Sequence, residues 1–384
     1  MIDTINVTIL DRGAYSVPVY TNTFQVMQGI TTYQHSISAQ GGCDSATINL
    51  DVKLEDAVQY LDSILRHVRV YDQYAQQIWS GYINRVTIDY GSSTTSIGLD
   101  NFASRYVMYN NDAVSATLFD ANVASTYADK LRIVTPYATA TTAATRTAVL
   151  TQQLTLFGAP QVETRTSAET RSSQRCQVTI ECLGYYTITN WTAITSAFTP
   201  AGVTDTANQI NTWITASVAT NAYFGIGNII TSTGVNIDNT STWPAYTTYN
   251  QLLDDAYTAG TSTGQVLSYG VNADGYYTMQ ISNINNKDIH YVKSVGSSKI
   301  YSPAGNEIPP TQVLPDRNMA IQELKPLYYV NSPTAYPGYS YINRVSLQID
   351  RNGYQLVLEP SALQDTMYDI AILRKGKRFK ISSR

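Results

Sequence analysis

The pentapeptide Tyr82-Ile83-Asn84-Arg85-Val86 returns 259 positions later as Tyr341-Ile342-Asn343-Arg344-Val345. Each copy comes after a glycine (Gly81; Gly338) and opens a long run of strand character. Each run then reaches a turn, at Gly91 or at Asn352-Gly353, and a return strand, Ile97 to Leu99 or Leu356 to Leu358. A shared layout of strand, turn and strand predicts two related β-units, one at each end of the chain. At 384 residues the chain also exceeds the size at which one core keeps growing, so two to four domains are expected.

Hydrophobic period supplies the elements between those ends. Ile5, Val7 and Ile9 alternate, as do Ala46 to Leu50, Val68 to Val70 and Ile78 to Ile88, and period two is the mark of a half-buried strand. Leu54, Val58, Leu61 and Leu65 change the period and predict an amphipathic helix over 54–67, with Glu55 and Asp56 at its start. Gln177 to Leu183 alternate, and Gly184 to Trp191 are expected to continue that strand. Ala144 to Phe157 allow a helix; Asp205 is a good N-cap for another through Val218, and Thr248 to Gly260 for a third. Asn272-Ala273-Asp274-Gly275 joins Val266–Val271 to Tyr276–Ile281 as a hairpin. Prolines break 303–337, and a helix is expected over Leu363 to Leu373. The expected fold is mainly β with some α (α+β). It comprises a β-barrel-like domain with one helix over 1–108 and a β-rich middle domain over 109–195. An α+β domain follows over 196–298, then a second barrel-like domain with a basic tail over 299–384. The pattern weakens to Ala and Thr from about 115 to 170.

Charged residues are only 14% of the chain, and 30 tyrosines help fill the gap. Tyrosine joins an apolar ring to a hydroxyl, which suits contacts that are partly buried and partly wet, as between neighbouring subunits. Six of the formal charges sit in the last eleven residues: Arg374, Lys375, Lys377, Arg378, Lys380 and Arg384. The remainder therefore carries −4 − 6 = −10. That tail reads either as a solvated end or as a salt-sensitive contact with an acidic neighbour or DNA. Cys43, Cys176 and Cys182 are too few for a disulfide scaffold and are expected as buried thiols. No apolar run approaches 18 residues, so no membrane span is expected.

No pattern of catalytic or ligand-binding residues emerges. His35, His67 and His290 lie far apart without metal spacing, and His67 is expected at a helix C-terminus, where a cation is favourable. Gly225-Ile226-Gly227 lacks the third glycine and lysine of a phosphate loop, and Asp254-Asp255 and Asp350 lack calcium-loop spacing. Neither enzymatic activity nor any cofactor or metal is expected.

Four segments, taken in order, resemble the tail hub, or minor tail, proteins of long-tailed bacteriophages. The first is Gly41-Gly42-Cys43 leading through a strand, a helix and Val68–Asp72 to Ile78-Trp79-Ser80-Gly81-Tyr82-Ile83. The second is Val178 to Tyr185. The third is Ala304 to Pro310 with Val313 to Arg317, and the last is Leu356 to Ser361. The resemblance implies a homotrimer in which two similar barrels per chain make a pseudo-sixfold ring at the tail tip or baseplate. Such a ring adapts a sixfold tail tube to a threefold tip and leaves a central channel. Implied partners are the tail tube or distal tail ring, a tip or fibre protein, the tape-measure protein and passing DNA. The implied location is the virion, after assembly in the bacterial cytoplasm. The residues this reading singles out are Trp79, Gly81, Tyr82, Arg85, Tyr341 and Arg344 in the repeat. For partner or lumen contact they are Arg374, Lys375, Lys377, Arg378 and Lys380. The rival readings are a hexameric distal tail ring and a host-binding or wall-degrading tail protein.

Overall fold

The computed structural model describes residues 4–10, 23–91, 93–110, 113–134, 142–166, 175–200, 202, 204–237, 242–259, 265–283, 288–293, 299–301, 306–314, 319–324, 340–360 and 379–382. The N-terminal strands are β1 (Ile5–Leu10), β2 (Thr23–Val26), β3 (Ile30–Ser38) and β4 (Gln40–Lys53). After helix α1 (Leu54–Gln59) come β5 (His67–Asp72), β6 (Gln77–Asp89) and β7 (Ser93–Gly98). A smaller unit follows: β8 (Arg105–Asn110), β9 (Ala113–Phe119), α2 (Ala121–Thr126), β10 (Leu131–Val134) and α3 (Ala143–Phe157). Then come β11 (Gln161–Thr166), β12 (Arg175–Leu183), α4 (Thr206–Thr220), β13 (Gly225–Ile229), α5 (Tyr249–Ala259), β14 (Gln265–Val271) and β15 (Tyr276–Asn283). The last strands are β16 (Asp288–Lys293), β17 (Lys299–Tyr301), β18 (Glu307–Ile308), β19 (Met319–Leu324), β20 (Ser340–Asp350), β21 (Gly353–Pro360) and β22 (Phe379–Ser382).

The chain is mainly β, and its centre is a curled, largely antiparallel sheet. Strand order across it is β7-β6-β12-β4-β3-β20-β21-β22, with β11 beyond β7. The first half of β6 pairs instead with β5, which leads to β1 and β2. Strands from all four expected divisions of the chain meet here, since β14 also runs parallel to the start of β4.

Alternation makes the two faces chemically opposite. One register row reads Val162, Ile97, Val86, Ile180, Ile48, Tyr33, Ile349, Tyr354 across eight strands, exposed at Val162 on the edge and buried in the core from Val86 to Ile349. Val86, Ile180, Ile48 and Tyr33 in it have no exposed surface. Burying each such side chain contributes about 1.5–3 kcal/mol, which fixes the register, because a one-residue slip would turn the row to water. The neighbouring row on the opposite face reads Glu163, Ser96, Thr87, Thr179, Asn49, Thr32 and Asp350.

Both copies of the repeated pentapeptide hold the same local device. Pairing slips at Asn84, between Ile83 and Arg85, and again at Asn343, between Ile342 and Arg344. Each asparagine is thus the extra residue of a β-bulge, after which arginine points to the polar face and valine to the core. The expected two related units do not follow from it. β6 and β20 run in the same direction with the same face inward, yet their return strands, β7 and β21, extend to opposite sides of the central β4. No rotation superposes two such hairpins. What the two copies share in the described residues is the bulge.

Glycines let backbones cross where β4 begins. A Cβ on Gly184 would collide with the Cys43 carbonyl, one on Gly42 with Val271, and one on Gly270 with Gly41. Gly42 and Gly270 also hold φ of +78° and +141°. The expected strand over Gly184 to Trp191 is a 3-10 helix, Tyr185–Asn190, because the chain turns away at this crossing and buries Tyr185 and Ile188.

The predicted helix over 54–67 is shorter than expected. It stops at Gln59, a 3-10 turn follows over Tyr60–Ser63, and Leu65 takes φ 65°. Leu54 and Val58 stay exposed, while Ala57, Tyr60, Ile64 and Leu65 face the core. The helices expected over Ala144–Phe157, Asp205–Val218 and Thr248–Gly260 form as α3, α4 and α5, whereas α2 is unexpected. Asp205 caps α4 by accepting from the Ala207 amide at 2.8 Å, and Leu252, Leu253 and Ala256 of α5 are buried. The segment with the weakest pattern forms the three-stranded sheet β10-β8-β9, packed on α3 through Leu150, Tyr106 and Met108. The helix expected over Leu363 to Leu373 lies outside the described residues.

Candidate functional site

The bulges decide where the residues of the repeat go. At Asn84 the parity of β6 inverts, so Trp79, Gly81 and Ile83 face the core and Tyr82 faces the other way. Gly81 is needed there, because a Cβ would meet both the Trp79 ring and the Leu183 carbonyl. Trp79 is fully buried, and its Nε1 has no hydrogen-bond partner among the described residues. Tyr82 enters an aromatic group with Tyr185, Trp191 and Tyr223, and its hydroxyl lies 2.9 Å from Thr187 Oγ1. All three residues are packed in the interior.

Arg85 and Arg344 project from the polar face. Arg85 pairs with Asp100 and lies 4.0 Å from Glu181; Arg344 pairs with Asp44 and donates to Ser36 at 3.1 Å. Arg175 holds Asp51 at 2.8 Å on the same face. Between them, Thr179 donates to Asn49 at 2.9 Å and Asn49 to Thr32 at 2.6 Å. Among the described residues the face is polar across seven strands, and Arg85, Arg175 and Arg344 on it are each paired with a carboxylate. Tyr341 pairs with Ala320 through its backbone. Lys380 lies in β22 opposite Val357, whereas Arg374, Lys375, Lys377 and Arg378 lie outside the described residues.

The buried titratable groups are packing groups. His67 is not at a helix end: it opens β5, is buried, and its Nδ1 lies 2.9 Å from the Tyr185 hydroxyl. His35 Nδ1 lies 2.9 Å from the Tyr33 hydroxyl, and burial lowers its pKa to about 3, so it is neutral. Cys43, Cys176 and Cys182 are free and buried, and burial raises the Cys43 thiol to about 12, far from a reactive thiolate. Asp255 accepts from Trp243 Nε1 at 2.8 Å, a structural role. Among the described residues no group of His, Cys, Asp and Glu could hold a metal ion, and no helix is long and apolar enough to cross a membrane.

One feature escaped the sequence pattern. A cleft of about 820 Å³ opens between the β5–β6 turn, the 307–311 segment and the β20–β21 turn. Asp72, buried behind the Gln73–Tyr74 wall, accepts from the amides of Tyr74 and Gln76, both at 2.9 Å, and from Thr311 Oγ1 at 3.0 Å. Only the alternation that buries Asp72 beside Val68 and Val70 hinted at it.

No protein-family model and no curated protein matches the chain. Among solved structures it is similar to the 43 kDa tail protein of prophage MuSo2 from Shewanella oneidensis. The identity is 8% and the TM-score 0.44, covering 92% of this chain and 95% of that one. It is similar also to a tail protein from Neisseria meningitidis, at 8% identity and TM-score 0.42, covering 95% and 98%. A chain of the Francisella PdpA–VgrG complex aligns at 7% identity and TM-score 0.28, covering 94% of this chain and 44% of that one.

Proposed function

We propose that this chain is a non-enzymatic structural component of a bacteriophage tail, a ring-forming hub with a central passage. The observation that carries the reading is the polar face of the central sheet. A wall beside a passing polymer must be wet, lack adhesive apolar patches and carry little net charge, because charge would bind rather than release. Threonine, serine, asparagine and glutamine fill that face, and Arg85, Arg175 and Arg344 are each neutralised by a carboxylate. The ordered motifs that resemble tail hubs point the same way. In this reading three copies form the ring, the tail tube or distal ring sits on one side and the tip on the other, and the virion is its location. Tape-measure protein and DNA would pass the polar face.

Native mass measurement together with negative-stain imaging tests it. The expected result is a trimeric ring with a central hole. A hexamer would favour the distal tail ring instead, and a stable monomer under assembly conditions would overturn both.

A further inference from the structure

We propose that the cleft between the β5–β6 and β20–β21 turns binds an uncharged oligosaccharide. Its volume, about 820 Å³, is that of a ligand site rather than a packing flaw. Two tyrosines line it, Tyr74 and Tyr354, and Tyr74 keeps 60% of its surface exposed. An exposed tyrosine offers a flat apolar ring with a polar edge, and the C–H face of a pyranose is a natural partner of such a platform.

The setting of Tyr74 is built. The buried Asp72 carboxylate fixes the turn through the Tyr74 and Gln76 amides and ties it to Thr311 and Gln312 on the facing wall. Ala75 in that turn takes φ 60°, a conformation with a steric cost that the Asp72 bonds offset. The backbone of the turn that carries the ring is therefore set before any ligand arrives.

Around the platform stand Gln73, Glu307, Asp350 and Arg351, with the Thr4 and Thr311 side chains. Planar carboxylate, amide and guanidinium groups exchange paired hydrogen bonds with vicinal hydroxyls. One guanidinium against two carboxylates gives no attraction for an anionic ligand. A proline-rich peptide also seeks aromatic grooves, but it offers few groups to the amide, carboxylate and guanidinium side chains that line this one.

The test uses the full-length protein and saturation-transfer NMR with four probes. These are N-acetylated chitotetraose, maltotetraose, a polyglycerol phosphate and a proline-rich decapeptide. The expected result is saturable binding of at least one of the two neutral saccharides. Tyr74→Ala should weaken it by about tenfold or more, Tyr74→Phe should largely retain it, and the thermal midpoint should not move in either. Val162→Ala, on the far edge of the sheet, should leave binding unchanged. Failure of both neutral saccharides to bind, preference for the phosphate polymer or the peptide, or indifference to Tyr74→Ala would overturn the proposal. It does not rest on the tail reading, and oligomer mass read on the same samples lets the two fail separately.

Discussion

The central curled sheet and the small β8–β9–β10 layer with α3 are built from similar strands but specified in different ways. The first buries one face of at least eight strands in a continuous core and crosses its own backbone at Gly42, Gly184 and Gly270. The second rests on five buried residues, Ala103, Tyr106, Met108, Val134 and Leu150, with α3 exposed along most of its length. Leu150 is the only buried residue of that 15-residue helix, and a capping box of Thr142 with Thr145 secures its start. Dense burial makes a region register-locked and intolerant. A thin core leaves local signals such as caps to carry more of the order, and such a layer opens at lower free energy.

Glycine substitutions should show most sharply how closely the central crossing is packed. Gly184→Ala places a methyl group against the Cys43 carbonyl and is expected to cost more than about 4 kcal/mol, read as loss of soluble protein or of a cooperative urea transition. Gly202→Ala, at φ +81° with no atom near its Cβ, should cost only about 1–2 kcal/mol. Equal effects would mean that the crossing is not close-packed.

Next in size, Trp79→Ala should remove about 3–5 kcal/mol and lower the global denaturation midpoint. Leu150→Ala should cost about 2–3 kcal/mol and raise hydrogen exchange only in residues 103–157. A Leu150→Ala variant whose exchange rises equally in β4 and β12 would show one cooperative unit instead of two.

Acid sharpens the comparison further, because no histidine lies in residues 103–157. His35 has a pKa of about 3 in the folded chain against an ordinary 6.5, so between those values the unfolded chain binds a proton that the folded chain does not. Stability is unaffected by this group above about pH 6.5 and falls as pH drops towards 3, the loss reaching about 2 kcal/mol at pH 5. Denaturation midpoints of the wild type and His35→Gln between pH 7 and 4 should show the slope reduced in the variant. The smallest effect is expected for Thr179→Ala on the polar face, about 0.5–1 kcal/mol in urea denaturation, since water replaces its bond to Asn49.

The legible parts of this protein were those written locally. The 3.6-residue spacing and the Asp205 cap placed α4, Leu252, Leu253 and Ala256 placed the inward side of α5, and Asn272 to Gly275 placed the β14–β15 hairpin. The Tyr-Ile-Asn-Arg-Val repeat was visible but its meaning was not, because a bulge is defined by a partner strand that may lie anywhere along the chain. The 820 Å³ cleft was equally hidden, as its walls come from residues near 4, 74, 309 and 351.

By itself the sequence determined which face of each strand would be apolar, where hairpins turn and where helices begin, since each depends on neighbours a few residues apart. Tertiary structure alone decided that β12 enters between β4 and β6, that β20 lies beside β3, and that His35 and His67 are sealed from water. Backbone amides and carbonyls are the same on every strand edge, so hydrogen bonding cannot choose among partners. Side-chain volume and the glycine crossings make that choice, and they exist only once distant segments meet.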